Sequence, residues 1–64
     1  MEISLNGELQ LVHATSIALL IQEVTPQAPF VIAVNGDFVP KPEYEITPIN
    51  PGDRVDIVVP VFGG

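Results

Sequence analysis

Pro51-Gly52-Asp53-Arg54-Val55-Asp56-Ile57-Val58-Val59-Pro60-Val61-Phe62-Gly63-Gly64, the last stretch of the chain, decides how the rest is read. Arg54 to Pro60 has the alternation and the β-branched content of a strand, with Val55, Ile57 and Val59 facing inward. Asn50-Pro51-Gly52-Asp53 launches it as a turn with proline at i+1 and glycine at i+2, the type II pattern. Behind the strand come Val61, Phe62, Gly63 and Gly64, a segment whose tip carries no side chains. Glycine lacks a Cβ and enters channels where any other residue clashes. Fully extended, these last residues reach roughly 13–14 Å, at about 3.3–3.6 Å each. The pattern therefore predicts a folded domain over 1–60 whose final strand releases a flexible tail over 61–64, long enough to carry a terminal carboxylate into a buried site on another protein.

Working back from that strand, the chain alternates from its start, with Met1, Ile3 and Leu5 on one face and Glu2 and Ser4 on the other. Asn6-Gly7 is a two-residue hairpin signal, because both central positions of a type I′ turn need positive φ. Glu8 to Val12 returns as a second strand, with Leu9 and Leu11 expected inward. Thr15 or Ser16 then offers a side-chain oxygen as helix N-cap. Ile17, Leu20, Ile21 and Val24 fall at i, i+3, i+4 and i+7, one apolar stripe of a helix that Pro26 stops by Thr25. Phe30 to Val34 is nearly continuous in apolar, mostly β-branched residues, the signature of an interior strand, and a second Asn-Gly at Asn35-Gly36 turns it into a short strand at Phe38-Val39 that Pro40 ends. Lys41 to Ile49 is irregular, with Tyr44 and Ile46 expected to cover one end of the core. The order β-β-α-β-β-β, with first and last strands free to pair in parallel, predicts an α+β fold: a β-grasp, a mixed sheet of four to five strands packed on one helix.

Composition narrows the function. A chain of 64 residues makes one small domain, and at 47% hydrophobic against 16% charged it is apolar enough to fold. No apolar run approaches the roughly 20 residues that span a bilayer, and the acidic start Met1-Glu2-Ile3-Ser4 is not a signal peptide, so a cytoplasmic protein is expected. The absence of cysteine excludes a disulfide scaffold, a thiolate metal site and a cysteine nucleophile. Net charge −6 disfavours nucleic acid and anionic membrane and favours partners with basic clefts.

The residues offer no catalytic constellation and no metal site. His13 is the one histidine and suits a loop or cap; Asp53 and Asp56 flank Arg54 as a surface pair, and Glu43 and Glu45 share a solvated loop. No glycine opens the helix to cradle a phosphate. The sheet face opposite the helix is a better candidate, with Val12, Val31, Ala33 and Val58 expected there and Phe38 joining them. Phe62 and Val61, beside the tip, are the further candidates for partner docking, because aromatic anchors dominate interface energetics.

Leu5-Asn6-Gly7-Glu8, Ala14 to Leu20, Ala33-Val34-Asn35-Gly36-Asp37-Phe38-Val39-Pro40, Pro51 to Val58 and the final Gly63-Gly64 together resemble the bacterial ThiS/MoaD family of ubiquitin-like sulfur carriers over the whole chain. The Val-Asn-Gly-x-x-Val-Pro segment favours the ThiS branch, since MoaD proteins are generally longer and usually lack it. The resemblance implies a carrier rather than an enzyme, with no bound cofactor. A ThiF-type E1-like enzyme would spend ATP to adenylate the Gly64 carboxylate. A cysteine desulfurase or persulfide relay would convert it to a thiocarboxylate, and thiazole synthase ThiG would receive the sulfur for the thiazole of thiamine. Gly63 and Gly64 match the family's reactive motif; the docking roles of Phe62, Val61, Val58 and Phe38 come from the residue reading alone. A MoaD-like sulfur donor for molybdopterin synthesis and a plain β-grasp interaction module with an inert tail are the alternatives.

Overall fold

Both Asn-Gly pairs form the turns their sequence dictates, and the sheet is laid out around them. In the computed structural model, which describes residues 1–60, Asn6 and Gly7 have φ of 51° and 84°, and Asn35 and Gly36 have 52° and 88°. The expected tail at 61–64 lies outside the described residues. The first turn joins β1 (Glu2–Leu5) to β2 (Glu8–Leu11), and the second joins β3 (Val31–Val34) to β4 (Asp37–Val39). Helix α1 (Ile17–Val24) lies between the two hairpins in the chain, and β5 (Arg54–Val58) comes last. In space β5 is central: the sheet order is β2-β1-β5-β3-β4, with β5 parallel to β1 and antiparallel to β3. A mixed sheet gripping one helix is the β-grasp fold.

The asparagines extend the ladder of β5 past the strands they terminate. Asn6 donates its backbone N–H to the Val55 carbonyl at 2.9 Å, and its Oδ1 accepts from the Ile57 N–H at 2.7 Å. On the other side Asn35 donates its N–H to the Arg54 carbonyl at 2.7 Å and accepts the Arg54 N–H on Oδ1 at 2.9 Å. Its Nδ2 reaches Asp53 Oδ1 at 3.2 Å, and Asp53 Oδ2 accepts from the Asn50 N–H at 2.8 Å, which ties the turn that launches β5 to the same cluster.

Ile3, Leu5, Ile32, Val39, Val55 and Ile57 of the sheet close on Ile17 and Leu20 of α1, with Val12, Ala14 and Ile49 sealing the ends. Eight residues of helix are too few to persist alone, and its orphaned first-turn donors are met from elsewhere. Ser16 Oγ accepts from the Leu19 N–H at 3.3 Å. The irregular 41–49 segment, which includes a 3₁₀ turn at Lys41–Glu43, supplies two carbonyls: Thr47 accepts from Ile17 at 3.0 Å and Tyr44 from Ala18 at 2.9 Å. At the far end Glu23 reaches back to the loop before the helix, its Oε1 accepting from the His13 and Ala14 N–H groups at 3.0 and 3.1 Å.

Four placements differ from the sequence reading. Leu9 and Leu11 face away from the helix, 72% and 80% exposed. A two-residue turn pairs Ser4 with Leu9 and Glu2 with Leu11, and residues directly opposite share a face, so the inward parity of Ile3 and Leu5 turns both leucines outward. The same parity brings Val12 inward: it exchanges two hydrogen bonds with Met1, each 2.8 Å, and is buried rather than on the outer face. Ile46 is 75% exposed; Ile49, whose N–H donates to the Thr15 carbonyl at 3.0 Å, covers the core in its place, beside the half-buried Tyr44. Val59 lies beyond the last paired residue of β5 and is exposed rather than inward.

Two stability predictions follow. Asn6→Ala forces a residue with a Cβ into φ near 51° and strips the half-buried Ile57 N–H of its acceptor. Left-handed backbone costs about 1–2 kcal/mol and an orphaned donor about 1–3 kcal/mol, so the unfolding free energy measured by urea titration is expected to fall by roughly 2–5 kcal/mol. Asn6→Gly keeps the turn and loses only the bond, and is expected to fall by about half that. Leu9→Ser, outward and exposed, is expected to change stability by less than about 0.5 kcal/mol, whereas Leu20→Ala in the sealed core costs roughly 2–5 kcal/mol; equal losses would contradict the hairpin parity.

Candidate functional site

The face of the sheet away from α1 collects the outward residues of every strand. Leu9 and Leu11 stand on β2, Glu2 and Ser4 on β1, Arg54, Asp56 and Val58 on β5, Val31 and Ala33 on β3, and Phe38 on β4. Along the middle strand Arg54 Nε meets Asp56 Oδ2 at 3.4 Å, a solvent-exposed pair. It separates two apolar patches. One is Leu9 with Leu11 at the β2 edge; the other is Val58, Val31 and Phe38, with Phe38 66% and Val58 52% exposed. Their register places Val58 opposite Val31, and Phe38 opposite Ala33 on the other flank of β3. This cluster of exposed apolar side chains, bordered by charge, lies on the face where the sequence reading expected a docking surface.

Of the expected site residues the structure therefore brings Val58 and Phe38 onto one patch, while Val61, Phe62, Gly63 and Gly64 lie outside the described residues. The patch borders the end of β5, the point from which residues 61–64 continue after Val59 and Pro60. Leu9 and Leu11 are surface residues that the alternation of β2 alone misassigned; the parity of the two-residue hairpin was the available signal.

A second concavity lies on the helix side. A groove of about 700 Å³ opens beside α1, walled by Ala18, Ile21, Phe30, Pro42 and Tyr44, with Lys41 among its lining residues. A smaller one of about 340 Å³ shares Phe30, Tyr44 and Lys41 and continues to Pro29, Val31 and Phe38. The rings of Phe30 and Tyr44 stack at 6.4 Å between centroids and 13° between planes, forming the wall common to both. Nothing in the sequence marked this groove, because it arises where the 41–45 turn packs beside the helix.

Neither surface carries reactive chemistry of its own. Among the described residues no group of histidine, aspartate and glutamate side chains converges in a way that would hold a metal ion. The His13 residue is exposed, and its backbone N–H is held by Glu23. Among the described residues no helix is long and apolar enough to cross a membrane.

Comparison with known proteins agrees with the fold. A crystal structure of the thiamine biosynthesis protein ThiS from Geobacter metallireducens superposes with a TM-score of 0.88 at 19% identity, covering 100% of both chains. A solution structure of a thiamine biosynthesis protein from the same organism gives 0.80 at 19% identity, covering 100% of this chain and 88% of that one. No curated protein matches the sequence. The model of the ThiS family matches residues 3–64, all but the first two residues, and the chain belongs to that family.

Proposed function

We propose that this protein is a sulfur carrier for thiamine biosynthesis, a co-substrate on which partner enzymes act and not itself a catalyst. The observation that carries the reading is the family match running through residue 64, so that Gly63 and Gly64 fall within it, a short segment beyond a strand locked into the middle of the sheet. The chemistry then belongs to the Gly64 carboxylate. One of its oxygens attacks the α-phosphorus of ATP on a ThiF-type enzyme, and pyrophosphate leaves. The resulting acyl adenylate has a good leaving group at the carbonyl carbon. A cysteine persulfide from a desulfurase or relay protein attacks that carbon through its terminal sulfur and expels AMP. A second thiol then cleaves the acyl disulfide, becoming part of a new disulfide and leaving a thiocarboxylate on Gly64. Thiazole synthase ThiG takes the sulfur from there.

The fold supports the reading through what it holds fixed and what it presents. The Val58, Val31 and Phe38 patch borders the end of β5, where a partner that grips the sheet face would receive the tail at a defined distance. The net charge of −6 steers encounter with a basic partner cleft. Gly63 and Gly64 have no side chains to block entry to an adenylation site.

After co-expression with a ThiF-type enzyme, a desulfurase and any required relay, the intact mass is expected to rise by the exchange of one oxygen for sulfur, assigned to Gly64 by fragmentation. An unchanged mass with demonstrably active partners would falsify the carrier reading and leave an interaction module. Phe38→Ser and Val58→Ser are expected to slow formation of the thiocarboxylate by about tenfold each, the scale of about 1.4 kcal/mol that a truncated interface anchor exceeds. Their melting temperatures are expected to stay within a few degrees of the parent, since both residues are exposed.

A further inference from the structure

The two edges of the sheet, β2 and β4, are finished differently. Met1 and Val12 exchange two backbone hydrogen bonds of 2.8 Å each, which sets the phase of the β1–β2 ladder. In an antiparallel pair, such bonded positions alternate with positions whose N–H and C=O point away from the partner strand. Ile3 with Gln10 and Leu5 with Glu8 are therefore bonded pairs, and Leu9 and Leu11 turn their backbone groups out of the sheet edge. The other flank of β1 agrees: Ser4, opposite Leu9, donates its N–H away from β2, to the Asp53 carbonyl at 2.9 Å. Among the described residues no loop or helix bonds to the outward groups of Leu9 and Leu11, and both side chains are exposed.

The β4 edge is closed by comparison. The same alternation from its turn leaves Phe38 as the β4 residue with outward groups. The next position in phase is Pro40, which has no N–H, and its carbonyl accepts from Glu43 at 2.9 Å. Proline, charge and bulges are the usual means of blunting an edge strand, and residues 9 to 11 of β2 have none of them. Their open groups are also symmetric about Gln10. A second β2 laid antiparallel, Gln10 opposite Gln10, sets Leu9 of each copy against Leu11 of the other, so every outward N–H and C=O of these leucines is paired. Sliding the register by two residues either way leaves one leucine of each copy opposite Gly7 or His13, outside the strand. On the outer face leucine then packs on leucine. On the helix side the two Gln10 amides meet, and an amide, which both donates and accepts, is complementary to its own copy. Glu8 falls opposite Val12 of the other copy and not opposite a carboxylate.

We propose that the β2 edge is a self-association surface, and that two copies of this chain join through it about a two-fold axis at Gln10, making one continuous sheet. A two-fold interface uses the same patch on both copies, which a strand symmetric about its midpoint supplies. One short strand per copy buries less than the roughly 1,200 Å² of a standard interface, so the dimer is weak, with a Kd on the order of 0.1–1 mM. Each copy carries net charge −6, so association tightens as salt screens the repulsion. The axis stands perpendicular to the sheet, and the two Val58, Val31 and Phe38 patches stay open at the far ends of one face. The dimer asks nothing of Gly64 and does not depend on the carrier reading.

Sedimentation equilibrium of the full chain, from about 10 μM to about 2 mM, tests this. The average mass is expected to climb from that of the 6.9 kDa monomer toward the dimer as concentration rises, and to climb further at about 0.5 M salt than at about 0.05 M. Gln10→Glu and Gln10→Lys each set like charges against one another at the axis, and each is expected to weaken association by about tenfold or more. One variant adds to the overall negative charge and the other reduces it, so a loss common to both has a local origin. Gln10 is exposed, and neither change is expected to move the melting temperature by more than a few degrees. An equimolar mixture of the two variants sets a carboxylate against an ammonium and is expected to regain at least the parental association. A mass that stays at one chain at every concentration in high salt overturns the proposal. A dimer that both Gln10 variants leave intact does so too, since it must form through another face, and so does a mixture that associates no better than its components.

Discussion

The fold depends on the seating of one strand. β5 is last in sequence and central in space, and until it arrives the protein consists of two separate two-stranded ribbons, β1-β2 and β3-β4. Such ribbons are marginal in water by themselves. β5 pairs with both, and each ribbon offers it an asparagine at the turn. The Asn6 side chain answers the Ile57 N–H across 51 positions of sequence, and Asn35 takes both the N–H and the C=O of Arg54. A parallel neighbour is gained on one side and an antiparallel one on the other, so the strand has no edge to expose. The consequence for function is mechanical. Whatever follows Val58 is attached to the best-anchored strand in the sheet, and strain applied there is carried by ladders on both flanks.

The second constraint is the short helix. With eight residues it cannot supply its own stability, yet it must hold the Ile17 and Leu20 side chains over the sheet. The irregular 41–49 segment solves this by turning its carbonyls toward the first turn of α1, while Glu23 clasps the loop at the other side. That use of the segment also explains its shape. Tyr44 has to lie close to the helix for its carbonyl to reach Ala18, its ring then stacks on Phe30, and the groove lined by Lys41 is what this arrangement leaves open.

Most of the architecture was legible in the residues, because local signals and global fold agree. Asn-Gly twice, a serine before an apolar stripe at helical spacing, and Pro-Gly before a β-branched run each specify an element, and their order leaves few topologies. What failed was the assignment of faces on β2. Leu9 and Leu11 alternate as a buried strand would, but the parity imposed by a two-residue turn outranks the preference of leucine for the interior, and the correct faces follow once Ile3 and Leu5 are fixed inward. Ile46 and Ile49 were not separable in sequence, since both are apolar in a segment with no period; only the contact with Thr15 decides between them. Of the candidate residues, the placement of Val58, Val31 and Phe38 on one face was legible for the same reason, since it follows from strand register, whereas the groove depends on packing between elements that no spacing encodes.

The charge distribution adds a further step. In a domain of net charge −6 that displays valine, leucine and phenylalanine on one sheet face, repulsion between copies opposes apolar association, and a surface of positive charge meets no such repulsion. The same arithmetic acts within the chain. Lys41 lies among the residues of an apolar groove, at the end of the sheet where β5 gives out, with Glu45 lining the adjoining groove beside it. The outer patch and the groove meet at Val31 and Phe38, which belong to both. A surface that covers the patch therefore also contacts the rim of the groove.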